Sequence, residues 1–137
     1  MYLLDTNIVS ELRKGGRADA NVRIWASQQP LSRQFLSAIT VLELETGILQ
    51  KERRDPVQGG LLRRWLEQQV LPRFENRILP VDLEIARRCA CLHVPDPRSD
   101  RDALIAATAL VHDFVVVTRN VPDFAPTGVR IFNPWQD

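Results

Sequence analysis

A chain of 137 residues, 45% apolar and 26% charged, suits one compact domain with a real core and gives no reason to expect a second. Its formal net charge of +1 announces no bulk attraction to nucleic acid, and no run approaches the roughly 18 apolar residues of a membrane helix. Met1-Tyr2-Leu3-Leu4-Asp5 sets no basic segment before an apolar one, so a soluble, cytoplasmic protein is expected, with no membrane partner.

Tyr2 to Leu4 reads as a first strand, and Thr6 to Lys14 and Asp19 to Gln28 as two short helices, the second ending before Pro30. A strand over Phe35 to Ala38 leads into a helix over Thr40 to Arg54, whose Val41, Leu44 and Ile48 form one stripe. Asp55-Pro56 and Gln58-Gly59-Gly60 punctuate the middle of the chain before a helix over Leu61 to Val70. Leu61, Leu62, Trp65 and Leu66 on that helix face the core on the plainer reading, or a second subunit or partner helix on the other.

Ile78 to Val81 reads as strand and Leu83 to Leu92 as helix. Cys89 and Cys91, two apart on this helix, point to different faces and are expected as reduced core thiols. A zinc site recruiting His93 lacks the further Cys or His it needs. Ala103 to Val111 is apolar nearly all round and predicts a buried helix, followed by strands over Phe114 to Thr118 and Val129 to Phe132. Residues 51–101 hold eleven Lys or Arg against eight Asp or Glu. The pairs Arg53-Arg54, Arg63-Arg64 and Arg87-Arg88 are solvated helix faces on the bland reading and an RNA-tracking surface on the other. Strands alternating with helices predict an α/β chain: a three-layer α/β/α sandwich with a mainly parallel sheet of about five strands.

Three acids stand at strand-to-helix junctions or in helix first turns. Asp5 suits an N-cap, Glu43 completes a Thr40-x-x-Glu43 capping box, and Asp102 follows Ser99 by three. In an open parallel sheet the strand carboxyl ends share one edge, where ligands bind; Asp5 and Glu43 belong there, and Asp102, at the start of a helix feeding the next strand, less securely. Three partly desolvated carboxylates repel unless protons or a cation compensate, and an all-oxygen set suits Mg²⁺ or Mn²⁺ better than zinc.

Leu-Leu-Asp-Thr-Asn at 3–7, Leu-Ser-Ala-Ile-Thr-Val-Leu-Glu-Leu at 36–44, Asp102-Ala-Leu-Ile-Ala-Ala-Thr-Ala to 109 and Val-Thr-Arg-Asn at 117–120 resemble, in order, the four motifs of the PIN-domain family, in particular its VapC and FitB toxins. The ending Ile131-Phe132-Asn133-Pro134-Trp135 resembles the FitB branch. The resemblance implies an Mg²⁺- or Mn²⁺-dependent endoribonuclease that slows translation, is blocked by a small cognate antitoxin, commonly dimerises, and meets operator DNA only through the antitoxin complex. It implies catalytic roles for Asp5, Glu43, Asp102 and Asp123, with Asp5 and Asp102 on the metal and Thr6, Thr118 and Asn120 in support. Asn120 falls where many relatives carry the fourth acid; Asp123 either replaces it or is a turn residue beside Pro122. This departure keeps a second reading open, a PIN-like subunit with weak or no catalysis acting in a DNA-binding toxin–antitoxin complex. A haloacid-dehalogenase-like phosphatase needs a second acid where Asn7 stands, and a receiver domain needs a late Lys, whereas Lys14 and Lys51 are the only lysines.

Overall fold

The computed structural model describes residues 1–136. Five parallel strands, β1 (Tyr2–Leu4), β2 (Gln34–Ser37), β3 (Ile78–Leu79), β4 (Val115–Val117) and β5 (Ile131–Phe132), lie in the order β3-β2-β1-β4-β5. Side chains alternate across a strand, so consecutive apolar residues serve opposite faces. Leu4 and Val117, with Leu36, pack against Ile8 and Val9 of α1 (Thr6–Leu12) and Leu44 and Ile48 of α3 (Ala38–Arg54). Leu3 and Val116 pack on the other face against Ile105, Ala106 and Ala109 of α7 (Asp100–His112). Helix α6 (Leu83–Leu92) lays Ile85 and Cys89 on Ala103 and Ala107, which completes the expected three layers.

Helix α2 (Ala20–Gln28) starts on the Asp19 carboxylate, which accepts from Asn21 N and Val22 N. Helix α3 starts at Ala38 rather than Thr40, because the Ser37 hydroxyl accepts from Ile39 N at 3.0 Å. Helix α4 (Pro56–Trp65) likewise begins earlier than expected: Asp55 caps Gln58 N, and Pro56 occupies the first turn, where no donor is missed. It runs through a π-helical turn at Leu66–Val70 into α5 (Leu71–Arg73). Helix α7 begins at Asp100, three residues before the all-apolar stretch, and a short unpredicted helix, α8 (Val121–Phe124), buries Phe124.

Gly59 is a packing residue rather than a helix breaker. A Cβ there lies 2.4 Å from Glu52 Cα, so its absence sets how closely α4 approaches α3. Gly59→Ala is expected to destabilise by about 2–3 kcal/mol through overpacking against main chain, as a lowered midpoint in urea unfolding.

Across the same contact Arg63 meets Glu45 at 2.8 Å and Glu52 at 3.0 Å, and one turn further along its own side it meets Glu67 at 3.6 Å. Those carboxylates hold its guanidinium firmly charged, so Arg63 staples α3 to α4 and is unavailable to a phosphate. Leu66 is fully buried and Leu62 and Trp65 pack against the core, so the plainer reading applies to all of that cluster except the exposed Leu61. Both cysteines are free, but only Cys89 is a core thiol; Cys91 is exposed because its position turns it off the face that packs on α7.

Candidate active site

The strand order reverses at β1, which has β2 on one side and β4 on the other. The crevice beyond the carboxyl ends of β1 and β4 is where an open α/β sheet binds its ligand. Asp5 leaves β1 at that point and Thr118 leaves β4, with Asp5 N donating to Val117 O at 2.9 Å.

Asp5 is 4% exposed, and its carboxylate is held by several donors. Oδ1 accepts from Thr6 N at 2.8 Å, so Asp5 does cap α1; Oδ2 accepts from Thr118 Oγ1 at 2.8 Å and Asn7 Nδ2 at 3.2 Å. Thr118 Oγ1 in turn accepts from Asn7 Nδ2 and Asn120 N, and Asn7 Oδ1 accepts from Arg119 N. Thr6 reaches further: its hydroxyl donates to Glu43 Oε1 at 2.7 Å, tying α1 to α3. Since Ser37 is the cap of α3, Glu43 is no capping-box partner, and its carboxylate faces the Asp5 neighbourhood instead.

Helix α7 feeds a parallel strand and must run against it, which brings its N-terminus to the same sheet edge as the ends of β1 and β4. Asp102, in its first turn, therefore joins the group. Burial, then the charges of Asp5, Asp123 and Glu43, push its pKa up to about 6. Asp5 is raised too, by burial and by Glu43, with the Thr118, Thr6 and Asn7 donors partly restoring its ionised form. Asp123, in the first turn of α8, is exposed but its charge is felt at Asp102. Asn120 caps α8 without a side-chain bond and contributes its main-chain N–H to Thr118.

The arrangement brings together Asp5, Thr6, Glu43, Asp102, Thr118 and Asp123, with Asn120 touching it through its backbone. Asn7 joins two of these groups, Asp5 and Thr118, and also accepts from the Arg119 main chain; it was passed over in the sequence, although the Asp-Thr-Asn motif contains it. Nothing in a linear pattern tells that an amide at position 7 meets a hydroxyl at 118.

Oxygen donors without His or Cys, with two carboxyl pKa values raised by burial first and by neighbouring carboxylates second, fit a hard divalent cation. Among the described residues no three Asp, Glu, His or Cys side chains are grouped closely enough to hold an ion by themselves. Zinc at His93 does not fit. Its Nδ1 accepts from Arg98 N at 3.1 Å, so the neutral ring carries its proton on Nε2, facing Asp100 and Cys89. His112 closes the far end of α7, away from the acids.

Thr118→Val keeps the buried shape and removes the donor to Asp5. Divalent-ion affinity is expected to fall about tenfold, read by titration calorimetry, as when a ligand's supporting hydrogen bond is lost.

The sequence profile of the PIN domain matches residues 2–124. VapC ribonuclease Y4jK of Sinorhizobium fredii is 39% identical over 144 residues, covering 99% of each chain. Toxin FitB of Neisseria gonorrhoeae is 38% identical over all of both chains. The solved structure of FitAB bound to an IR36 DNA fragment superposes with a TM-score of 0.87 at 34% identity, over 100% of this chain and 97% of that one.

Proposed function

The chain belongs to the PIN-domain family, and from that premise we propose that it is a metal-dependent endoribonuclease toxin neutralised by a cognate antitoxin. The observation that carries this reading is the burial of Asp5 and Asp102 at one sheet edge, where neighbouring carboxylates, Glu43 for both and also Asp5 and Asp123 for Asp102, add repulsion and no cationic side chain contributes to either shift. A pocket serving only as scaffold gains nothing from that repulsion.

In this reading Asp5 and Asp102 hold Mg²⁺ or Mn²⁺. Three of the roughly four lone-pair sites of Asp5 are taken by Thr6, Thr118 and Asn7, which fixes the carboxylate and leaves one Oδ1 site for the ion. Glu43, with Oε1 engaged by Thr6, keeps Oε2 to orient the attacking water, and Asp123 supplies the fourth charge that Asn120 lacks. The divalent ion, when bound, offsets the carboxylate charge, acidifies water and stabilises charge developing on the phosphodiester. The acids align that water with the phosphorus, and no histidine base is needed.

On this view residues 1–137 are read as one nuclease domain, and β5, which extends the sheet beyond the matched segment, supports that reading. The partners are an antitoxin, operator DNA through the antitoxin complex, and a second copy of the chain; the site of action is the cytoplasm. The toxin relative and the DNA-bound FitAB neighbour support the first two. The test is cleavage of total RNA and purified tRNA by antitoxin-free protein with Mg²⁺, with Mn²⁺ and with chelator. Cutting that needs the metal is expected; folded, monodisperse protein that leaves every RNA intact would sink the reading.

A further inference from the structure

Beside the acids stands a cationic group that the pocket chemistry does not use. Arg119 follows Thr118 directly, so its main chain is at the pocket rim, where its N–H donates to Asn7 Oδ1 at 3.2 Å. Its side chain forms no ion pair with these carboxylates and lies on Trp135, with Cζ 4.2 Å from the ring centroid. Trp135 is anchored: it packs against the core, its main-chain N–H donates to Asn133 Oδ1 at 3.0 Å, and its carbonyl accepts from Asn21 Nδ2 at 3.2 Å. Arginine held over an aromatic face keeps donors open to a ligand and has already lost much of its rotamer freedom.

The contacts around it give its place. The Arg119 main chain is bonded to Asn7 of α1, and the residue under its guanidinium is tied through its carbonyl to Asn21 of α2, so the guanidinium sits on the α1 flank of the pocket. Its charge is also among the causes that lower the pKa of Glu11 on α1. Glu11 does not consume it, since that carboxylate already takes Lys14 Nζ at 3.0 Å and Asp19 N at 2.8 Å. Among the described residues no carboxylate forms an ion pair with Arg119.

We propose that Arg119, stacked on Trp135, binds an RNA phosphate flanking the scissile one and so sets how the strand crosses the pocket on its α1 side. This rests on the nuclease reading. A strand whose scissile phosphate lies over Asp5 and Asp102 has to cross the rim, and a guanidinium edge is matched to phosphate oxygens. Because the group stays off the reacting centre, it contributes to binding in ground and transition states alike, and its loss raises KM while kcat holds.

The test compares Arg119→Ala, Arg119→Lys and Trp135→Phe with the parent chain, using a labelled single-stranded RNA oligonucleotide. Binding is measured by fluorescence anisotropy in an Asp102→Asn background, and KM and kcat in the active chain. Arg119→Ala is expected to weaken binding roughly tenfold and to lower the slope of log Kd against log salt by about 0.7, one phosphate contact fewer. Arg119→Lys should fall between, lacking the planar fork, and Trp135→Phe, which keeps an aromatic face, should stay within about threefold of the parent. Arg119 is exposed, so the alanine variant should fold, and an unchanged melting temperature checks this. Parental affinity and salt slope in Arg119→Ala overturn the proposal alone, as does a fall in kcat at constant KM. A parent chain that neither binds nor cuts RNA overturns both this proposal and the nuclease reading.

Discussion

Asp102→Asn is expected to lower metal-dependent RNA cleavage by at least about 100-fold, while making the metal-free protein more heat-stable by roughly 3 °C. The two effects have one cause. At neutral pH Asp102 is ionised in a place that resists ionisation, through burial and the charges of Asp5, Asp123 and Glu43. The amide removes one of four like charges without changing shape, which relieves the fold and deprives the cation of a ligand. Adding Mn²⁺ should then raise the melting temperature of the parent chain and leave that of the variant nearly unmoved. Calorimetry with and without Mn²⁺, beside an RNA cleavage assay, checks all parts. A variant that cuts as well as its parent removes Asp102 from the site, and one destabilised without metal contradicts the electrostatic account.

The second large effect is the pH dependence of stability, and its sign changes with metal. Asp102 titrates at about 6 in the folded chain against 3.8 ordinarily. Below about pH 3.8 both folded and unfolded chains hold the proton and nothing is lost. As pH rises from there, the unfolded chain releases its proton first, so metal-free stability falls until about pH 6, where the folded chain has also ionised. Asp5, raised in the same direction, adds to the fall. Glu11 is lowered by Asp19 N–H and Lys14, so its contribution is present above its ordinary 4.5 and lost in more acid solution, below most of this window. The metal-free melting temperature should therefore drop by several degrees as pH rises from about 4.5 to about 6.5 and level off above that. With saturating Mn²⁺ the trend reverses, because the ion competes with protons for the carboxylates and binds best once Asp102 is ionised. Melting curves from pH 4.5 to 8 with and without Mn²⁺ decide the matter; parallel curves would mean that the acids do not form the metal site.

Arg63 and Asn7 show where reading residues in a line stops short. The Arg63-Arg64 pair has the composition of a phosphate-binding stripe, yet Arg63 is consumed by three glutamates spread over two helices. Sequence gives the charge but not the partners, since Glu45 and Glu52 reach it only after α3 and α4 fold against each other. Arg119 is the opposite case: an unremarked cation in the chain, distinguished in space by the indole of Trp135 sixteen residues on.

The chain's own pattern determined the layering. Consecutive apolar residues at Leu3-Leu4 and Val116-Val117 require a sheet covered on both faces, and alternating strands and helices require it to be parallel. The pattern also marked Asp5, Glu43 and Asp102 as acids at junctions. Tertiary structure alone decided that they meet. Glu43 could serve a capping box until Ser37 took the cap, and Asp102 was placed only by the rule that a helix feeding a parallel strand starts at that strand's carboxyl edge. It also decided that Asp123 adds its charge where Asn120 adds only a backbone donor, and that Gly59 is a contact rather than a break. Capping and periodicity act over a few residues and are legible along the chain; electrostatic crowding and close packing depend on distance in space, which the strand order β3-β2-β1-β4-β5 sets.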